Sequence, residues 1–387
     1  MTDYAILLLP AANRVYADTS PRLLRGELAV LGERGLDATI GGVTERRIAG
    51  VDYVTFATPE PLNGNDIAML SNLSTVYALF EVLGTGPEAG PAPEAGTATA
   101  PETAQDTTAD TAGQGAAGVP LLRPVPLAPL DRFDSDLLTI QKYAGKTNEL
   151  FTKLLVNMTC MALERPATML TSTLRVLDPL CGRGTTLNQA MMYGFDAAGA
   201  EVDGKDFDAY ELFIKTWLKN KRVKHAADSG QLRKDKTRLG RWLDITYAPT
   251  KDEYKAGDTR SVNFRGVDTL ALDRVFASRS FDMIVTDAPY GVQHGSRQQG
   301  TSAPSRSPRE LLAAALPTWL RLLRPGGAVG ISWNTRVLPR EELVETLRSA
   351  GLTVHDGWPF DQFRHRVDQA IVRDLVVATL PGHRTAG

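Results

Sequence analysis

The chain has 387 residues, 43% of them hydrophobic, a formal charge of −2 and two cysteines. That is enough apolar material for one large core and a smaller companion unit, and no uncharged apolar run reaches the roughly 18 residues needed to span a bilayer. Cys160 and Cys181 are too few for a disulfide framework, which points to a reducing cytoplasm, and the five histidines show no metal-ligand spacing, so no metal is expected.

Met1–Pro10 contains an apolar run without a basic leader, so AILLLP reads as a strand and not as a secretory signal. A helix is predicted near Pro21–Glu33, a strand near Val51–Ala57 and another in Val76–Leu83. Residues 84–118 hold Gly, Pro, Ala, Thr, Gln and five acids, with no Lys, Arg, aromatic or large aliphatic residue. Such a segment cannot bury enough surface to offset chain entropy and is expected to be disordered. Val119–Leu127 is again extended in type, but its prolines allow an edge strand at most. The segment therefore reads as an insertion in a hairpin loop, a cheap event once a loop is flexible. The expected organisation is a small N-terminal α/β domain over 1–129, interrupted at 84–118, and a second domain over 130–387. Without the five acids the remainder stands at +3, which permits a nucleic-acid partner without requiring one.

From Leu130 onward the periodicity changes. A helix is predicted over Asn148–Leu163 with Asn148 as N-cap, then a strand at Leu174–Leu177 and a helix at Leu187–Tyr193 closed by Gly194. Strands follow at Asp196–Ala200 and Phe281–Thr286, a helix at Pro308–Leu323, a strand at Ala328–Trp333, a helix at Arg340–Ala350 and a last strand within Gln369–Leu380. Strands alternating with helices indicate an α/β, Rossmann-like, doubly wound and mostly parallel sheet.

Two motifs carry chemistry. In Val176-Leu-Asp-Pro-Leu-Cys-Gly-Arg-Gly-Thr-Thr186 a strand ends in Asp178 and Pro179, and a loop with Gly182 and Gly184 opens a helix. Ligands of doubly wound sheets bind at such strand ends, where glycine lets the backbone approach closely. Glu201, after the next strand, is placed to accept hydrogen bonds from ribose hydroxyls. A dinucleotide-binding domain would show much of this pattern too. The second motif, Asp282-Met-Ile-Val-Thr-Asp287-Ala-Pro-Tyr-Gly291, decides between them. An exocyclic base amine is a weak nucleophile because its lone pair delocalises into the ring. Asp287, with the carbonyl of Ala288 or Pro289, can accept its N–H bonds and leave the lone pair facing an electrophile. Pro289 stiffens the turn, and Tyr290 offers a face on which a flipped-out base can stack.

Asp287-Ala-Pro-Tyr290 resembles the Asp/Asn-Pro-Pro-Tyr/Phe motif of amino-methyltransferases, and Asp178-Pro-Leu-Cys-Gly-Arg-Gly184 resembles their cofactor motif. Gln141-Lys-Tyr-Ala-Gly-Lys-Thr-Asn148 is similar to the entry segment of bacterial and archaeal relatives of the tRNA guanine-N2 methyltransferases. The resemblance covers about 130–380. It implies a class I methyltransferase fold and S-adenosylmethionine as cofactor, held by Asp178, Pro179, Gly182 and Gly184, with Glu201 on its ribose, Asp258 near its adenine and Thr147 at its methionine end. It implies a nucleic-acid partner, RNA (a tRNA guanine N2) ahead of DNA (adenine N6 or cytosine N4), and leaves the oligomeric state open. A glutamine side-chain amide as substrate, or an RNA-binding protein that keeps the fold without catalysis, are the other readings. Two positions depart from the pattern. Ala288 replaces the first proline of the motif, and residues 1–83 with 119–129 show no THUMP RNA-binding domain.

Three further features have two readings each. The Lys and Arg residues of 215–241 form a phosphate-tracking patch or a solvated surface. Gly291–Arg309 closes over the target nucleotide or is a plain surface loop. Arg364-His-Arg366 touches phosphate or is a surface turn. Cys181, inside the cofactor loop, reads as a small packed residue.

Overall fold

A computed structural model describes residues 1–10, 14–85, 120–143, 145–234, 237–289 and 307–382. The chain begins with β1 (Thr2–Leu8), α1 (Arg14–Arg34), β2 (Gly41–Ile48), β3 (Val51–Thr58), α2 (Gly64–Leu70), β4 (Val76–Thr85) and β5 (Pro120–Val125). These strands form an antiparallel sheet in the order β2-β3-β1-β4-β5. Side chains alternate across a strand, so Tyr4 and Ile6 of β1 join the main core while Ala5 falls in a small cluster with Ile48 and Tyr53. β5 pairs with β4 from Leu79↔Val125 to Thr85↔Pro120 and is an edge strand. Residues 86–119 thus connect two paired strands, and the disorder expected at 84–118 falls on them, outside the described residues. Gly84 and Thr85 instead complete β4.

Two elements here differ from expectation. α1 starts at Arg14 and runs through Pro21, rather than starting there. Proline inside a helix removes a backbone hydrogen bond, but the same helix buries Leu23, Leu24, Leu28 and Leu31 almost completely. β2 (GGVTERRI) escaped prediction because it is an exposed edge strand with no apolar alternation to read.

The second part runs through α3 (Asp136–Thr139), α4 (Glu149–Met161), α5 (Thr168–Thr171), β6 (Arg175–Asp178), α6 (Thr185–Met192), β7 (Asp196–Ala200) and α7 (Gly204–Asn220). It continues with β8 (Lys224–Lys234), β9 (Thr237–Ala248), α8 (Lys251–Ala256), β10 (Arg260–Gly266), a 3-10 helix (Thr269–Arg274) and β11 (Phe281–Asp287). Then come α9 (Pro308–Leu322), β12 (Leu323–Asn334), α10 (Arg340–Ser349), β13 (Thr353–His355), β14 (His365–Arg366) and β15 (Val372–Thr379). The strand order is β13-β15-β12-β11-β6-β7-β10-β9-β8, with β14 pairing β15. β12, β11, β6, β7 and β10 are parallel, whereas β15 enters antiparallel and β9–β8 add an antiparallel hairpin at the other end. This hairpin was not predicted. β8 is polar along most of its exposed length, so no apolar alternation marks it, whereas in β9 Leu243, Ile245 and Tyr247 are buried and alternate with Asp244 and Thr246.

α4 starts where its sequence says it should: the Asn148 side chain accepts from the amides of Leu150 and Phe151. It is nearly buried on all sides, because it packs under the large sheet and against α1. One hydrophobic cluster therefore runs from β1 and α1 through α4 to β6 and β7. A polar knot crosses the same junction. Glu27 of α1, fully buried, accepts from the Ser74 amide and hydroxyl and from Asn157 Nδ2 of α4. Asn157 also donates to the Asn72 carbonyl (2.7 Å) and accepts from the Tyr193 hydroxyl (2.8 Å). Burial pushes the Glu27 carboxyl above its ordinary range, against the donors that lower it. Breaking such a network leaves buried groups unpaired, at about 1–3 kcal/mol each. Asn157→Leu should therefore lower the unfolding free energy by about 2–4 kcal/mol, measured by urea denaturation; a loss below about 1 kcal/mol would contradict the role given to this knot.

Candidate active site

The parallel register brings three carboxylates to one end of three neighbouring strands. β11 pairs β6 (Ile284↔Leu177) and β6 pairs β7 (Asp178↔Gly199), so Asp287, Asp178 and Glu201 all lie at carboxyl ends. Strands lie about 4.8 Å apart, which puts the Asp287 and Glu201 backbones roughly 10 Å from each other.

Asp178 is buried, and its Oδ1 accepts from Thr286 Oγ1 (2.8 Å) and the Leu180 amide (3.1 Å). Burial pushes its carboxyl up to about 7; hydrogen bonds from Thr186, the Leu180 amide and Thr286 pull it down, and the charge of Asp287 adds to the rise. Pro179 behind it is buried too. Gly182 and Gly184 both have positive φ (50° and 78°). A Cβ on Gly184 would lie 2.3 Å from the Tyr210 ring, so this position must be glycine for α6 to begin under α7. A Cβ on Gly182 would meet nothing within 4 Å. Its bare backbone faces open space, and its amide donates to Glu201 Oε2 (3.0 Å) while Glu201 Oε1 accepts from the Asp203 amide (2.8 Å). Burial also raises the Glu201 carboxyl. Arg183 leaves the loop, its Nε on Asp206 (2.8 Å) and its guanidinium over the Tyr143 ring. Cys181 packs against Gly199, and burial pushes its thiol well above the ordinary range, as suits an unreactive packing residue.

Asp287 is gripped from three directions. Thr147, in the segment before α4, donates its hydroxyl to Oδ2, and Ser332 of β12, its register partner, donates to Oδ1. Arg373 of β15 lies 3.7 Å from Oδ2; it is almost completely buried, with its guanidinium 4.9 Å above the Phe151 ring. The amide of the buried Ala288 donates to the Ser332 carbonyl (2.8 Å), which pins the turn that the missing proline would have stiffened. Pro289 is half-buried. Tyr290 and most of Gly291–Arg309 lie outside the described residues.

The site thus unites Thr147, Asp178, Pro179, Gly182, Gly184, Glu201, Asp287, Ala288 and Pro289. Thr147, expected at the methionine end of the cofactor, has its hydroxyl committed to Asp287. Asp258 is a correction. It precedes β10, which runs parallel to β7 with Val262↔Ala197, so it stands at the amino ends of the strands, exposed and paired with Arg260 (2.5 Å), which reaches the Gly194 carbonyl. The acid at the carboxyl end of β10 is Asp268, which accepts from the Leu270 amide (2.9 Å). The alternating Ser261–Arg265 run pointed to that strand; its direction in the sheet was the missing fact. Ser332 and Arg373 were missed because only strand pairing brings them to Asp287. Several of the 215–241 cations are matched by acids: Lys215 by Glu211, Lys221 by Asp134 and Asp136, Arg241 by Asp208 and Glu211.

A mostly parallel sheet in this order, with a glycine loop after the first parallel strand, an acid after the second and an acidic turn after the fourth, is a Rossmann-like class I fold. Residues 165–303 match the family model "RMKL-like, methyltransferase domain". The chain is an S-adenosylmethionine-dependent methyltransferase with a Rossmann-like sheet and a small N-terminal sheet beside it. A search of curated proteins finds no match. Among solved structures it is similar to TrmN from Thermus thermophilus (15% identity, 98% of this chain and 99% of that one, TM-score 0.40). It is also similar to a TehB-like SAM-dependent methyltransferase from Corynebacterium glutamicum (16% identity, 54% and 80%, TM-score 0.30). A third is the T. thermophilus 16S rRNA N2 G1207 methyltransferase RsmC (12% identity, 54% and 35%, TM-score 0.27). Among the described residues no helix is long and apolar enough to cross a membrane, and no group of His, Cys, Asp and Glu is arranged to hold a metal ion.

The site residues fit the cofactor: an open glycine backbone at Gly182 lies beside a carboxylate at Glu201. Two outcomes follow. Gly184→Ala combines a strained φ with a clash on Tyr210 and should cost about 2–4 kcal/mol of stability and abolish S-adenosylmethionine binding by calorimetry; retained binding would show that α7 yields. The Asp178 carboxyl, raised from 3.8 to about 7 on folding, contributes its full stability below pH 3.8 and loses it as pH rises through 7. The urea midpoint of Asp178→Asn should therefore decline less steeply than the parent's over that window; parallel curves would refute the assignment.

Proposed function

We propose that this enzyme methylates an exocyclic amino group of a base in RNA, with guanine N2 of a tRNA as the first candidate. The observation that carries the reading is the Asp287 carboxylate, held at a strand end by Thr147, Ser332 and Arg373 beside the cofactor loop. A carboxylate has about four lone-pair sites. Two hydroxyls and the nearby Arg373 guanidinium orient it, so that it can accept from an incoming amine N–H. That bond, with the carbonyl of Ala288 or Pro289, turns the nitrogen lone pair towards the cofactor side of the crevice. Bound S-adenosylmethionine supplies an electrophilic methyl group on a sulfonium. Methyl transfer from it would leave the electron pair on sulfur, and the amine would release its proton to water. Positioning and fixed dipoles supply the rate, with Tyr290 proposed as the stacking face for the base. In the cofactor site Asp178, Pro179, Gly182, Gly184 and Glu201 are the proposed contacts.

RNA is preferred to DNA because the segment Gln141–Asn148 resembles the tRNA enzymes in sequence. We place the protein in the cytoplasm, where the free, buried Cys160 and Cys181 remain thiols, and treat 1–129 as an N-terminal domain serving tRNA processing. Asp287→Ala should keep its affinity for S-adenosylmethionine within about twofold and lose about 100-fold or more in transfer of labelled methyl to total tRNA. Full activity in the variant would remove Asp287 from the chemistry. A label that survives ribonuclease but not deoxyribonuclease would move the assignment to DNA.

A further inference from the structure

The rim beside Asp287 carries a second feature that the methyl-transfer chemistry does not use. β15 runs antiparallel to β12, so its first residues stand at the catalytic end of the sheet, with Arg373 opposite Asn334. β14 pairs with those first residues, His365↔Arg373 and Arg366↔Val372. His365 is therefore one strand away from the arginine that touches Asp287, about 5 Å across the ladder. Its ring is buried and turned inward, 5.1 Å from Phe151, with Nδ1 on the Phe363 carbonyl (2.8 Å). Burial holds this imidazole down at about 4, so it is neutral at pH 7. Alternation along the strand then sends its neighbours Arg364 and Arg366 outward, and both are exposed. Arg336, in the turn after β12, is exposed at the same end. None of the three has a carboxylate within ion-pair distance among the described residues, in contrast to Arg183, Arg241 or Arg340.

The connection from β13 to β14 adds an aromatic. Trp358 is 71% exposed, more than any other large apolar side chain of the described residues except Met1 and Leu212, which is equal to it. The backbone that presents it is fixed. Arg340 reaches the Asp356 carboxylate (3.2 Å) and the Phe360 carbonyl (3.4 Å), and Arg22 of α1 donates to the Gln362 carbonyl (3.0 Å) and to that of Arg364. The nearby acids are engaged locally: Asp368 caps the amides of Ala370 and Ile371, and Asp361 accepts from Gln362. Three guanidinium groups without a carboxylate partner among the described residues and an exposed ring, on the turn after β12, the β13–β14 connection and β14, offer what single-stranded RNA needs: cations for its phosphates and a stacking face for its unpaired bases.

We propose that Trp358, Arg336, Arg364 and Arg366 hold the single-stranded RNA next to the target nucleotide. This rests on the RNA reading above and deepens it. Trp358 stacks on a flanking base, and the arginines contact phosphates. The test uses the full chain, a fluorescent 12-nucleotide single-stranded RNA, the matching 12-base-pair duplex and labelled methyl transfer to total tRNA. Trp358→Ala should weaken single-strand binding about 10-fold, and Trp358→Phe should restore it. Arg364→Ser/Arg366→Ser should raise KM for RNA about 10-fold or more, with kcat within about threefold, and flatten the slope of log affinity against log salt by about 1.4, two contacts at roughly 0.7 each. S-adenosylmethionine affinity should not move in any of them. Arg165→Ser/Arg279→Gly, at the opposite end of the sheet, should match the parent. Binding and salt slope equal to the parent's in both rim variants would overturn the surface while leaving RNA methylation intact. Equal affinity of the parent for duplex and single strand would overturn the stacking role. A parent that neither binds nor methylates RNA would remove the RNA reading, and this surface with it.

Discussion

The site depends on the parallel pairing of β6 with β11 on one side and β7 on the other. Parallel strands end together, and each ends in an acid: Asp178, Asp287 and Glu201. Three carboxylates at one edge lose solvation, a cost visible in the raised carboxyls of Asp178 and Glu201, and the charge of Asp287 adds to the rise at Asp178. The fold tolerates them because each has its own donors. Glu201 rests on backbone amides, Asp178 on threonine hydroxyls and an amide, and Asp287 on two hydroxyls and a buried guanidinium. Donors held by strands and helix ends do not reorganise during reaction, which is the property that favours catalysis by fixed dipoles.

The same elements tie the N-terminal sheet to the chemistry. α4 carries Asn157 into the polar knot with Glu27, and it carries Phe151 under Arg373. The residue before α4, Asn148, caps it, and the residue before that, Thr147, donates to Asp287. A single helix thus sets the position of the Asp287 carboxylate relative to α1. Arg22 makes a second link, from α1 to the β13–β14 connection. The small sheet is consequently part of the framework of the active site and shares its hydrophobic core.

Much of the fold was legible in local pattern. β7 was predicted to the residue, and α4, α6, α9 and α10 to within two residues or so at each end, since caps, periodicity and Gly or Pro punctuation act over short range. Strands that lack alternation were invisible: β2 and β8 are exposed edges, and edges need not be apolar on either face. The places of Asp178, Gly182, Gly184, Glu201 and Asp287 at strand ends were legible because each lies in or just after a strand whose apolar run can be read locally. Asp258 was misplaced because an acid beside a strand can stand at either end of it, and only the direction of β10 in the sheet tells which.

By itself, then, the sequence determined the alternation of strands and helices, the glycine loop with its partner acid and the acidic turn, all of which follow from interactions among residues near one another in the chain. The tertiary structure alone decided which distant residues complete the site. Ser332 lies 45 residues from Asp287 and Thr147 lies 140 away, while Arg373 arrives on a strand that inserts beside β12. The reason is physical: a hydrogen bond or ion pair to a buried carboxylate depends on register and strand order, and those are settled by burial of the whole sheet, not by any one segment.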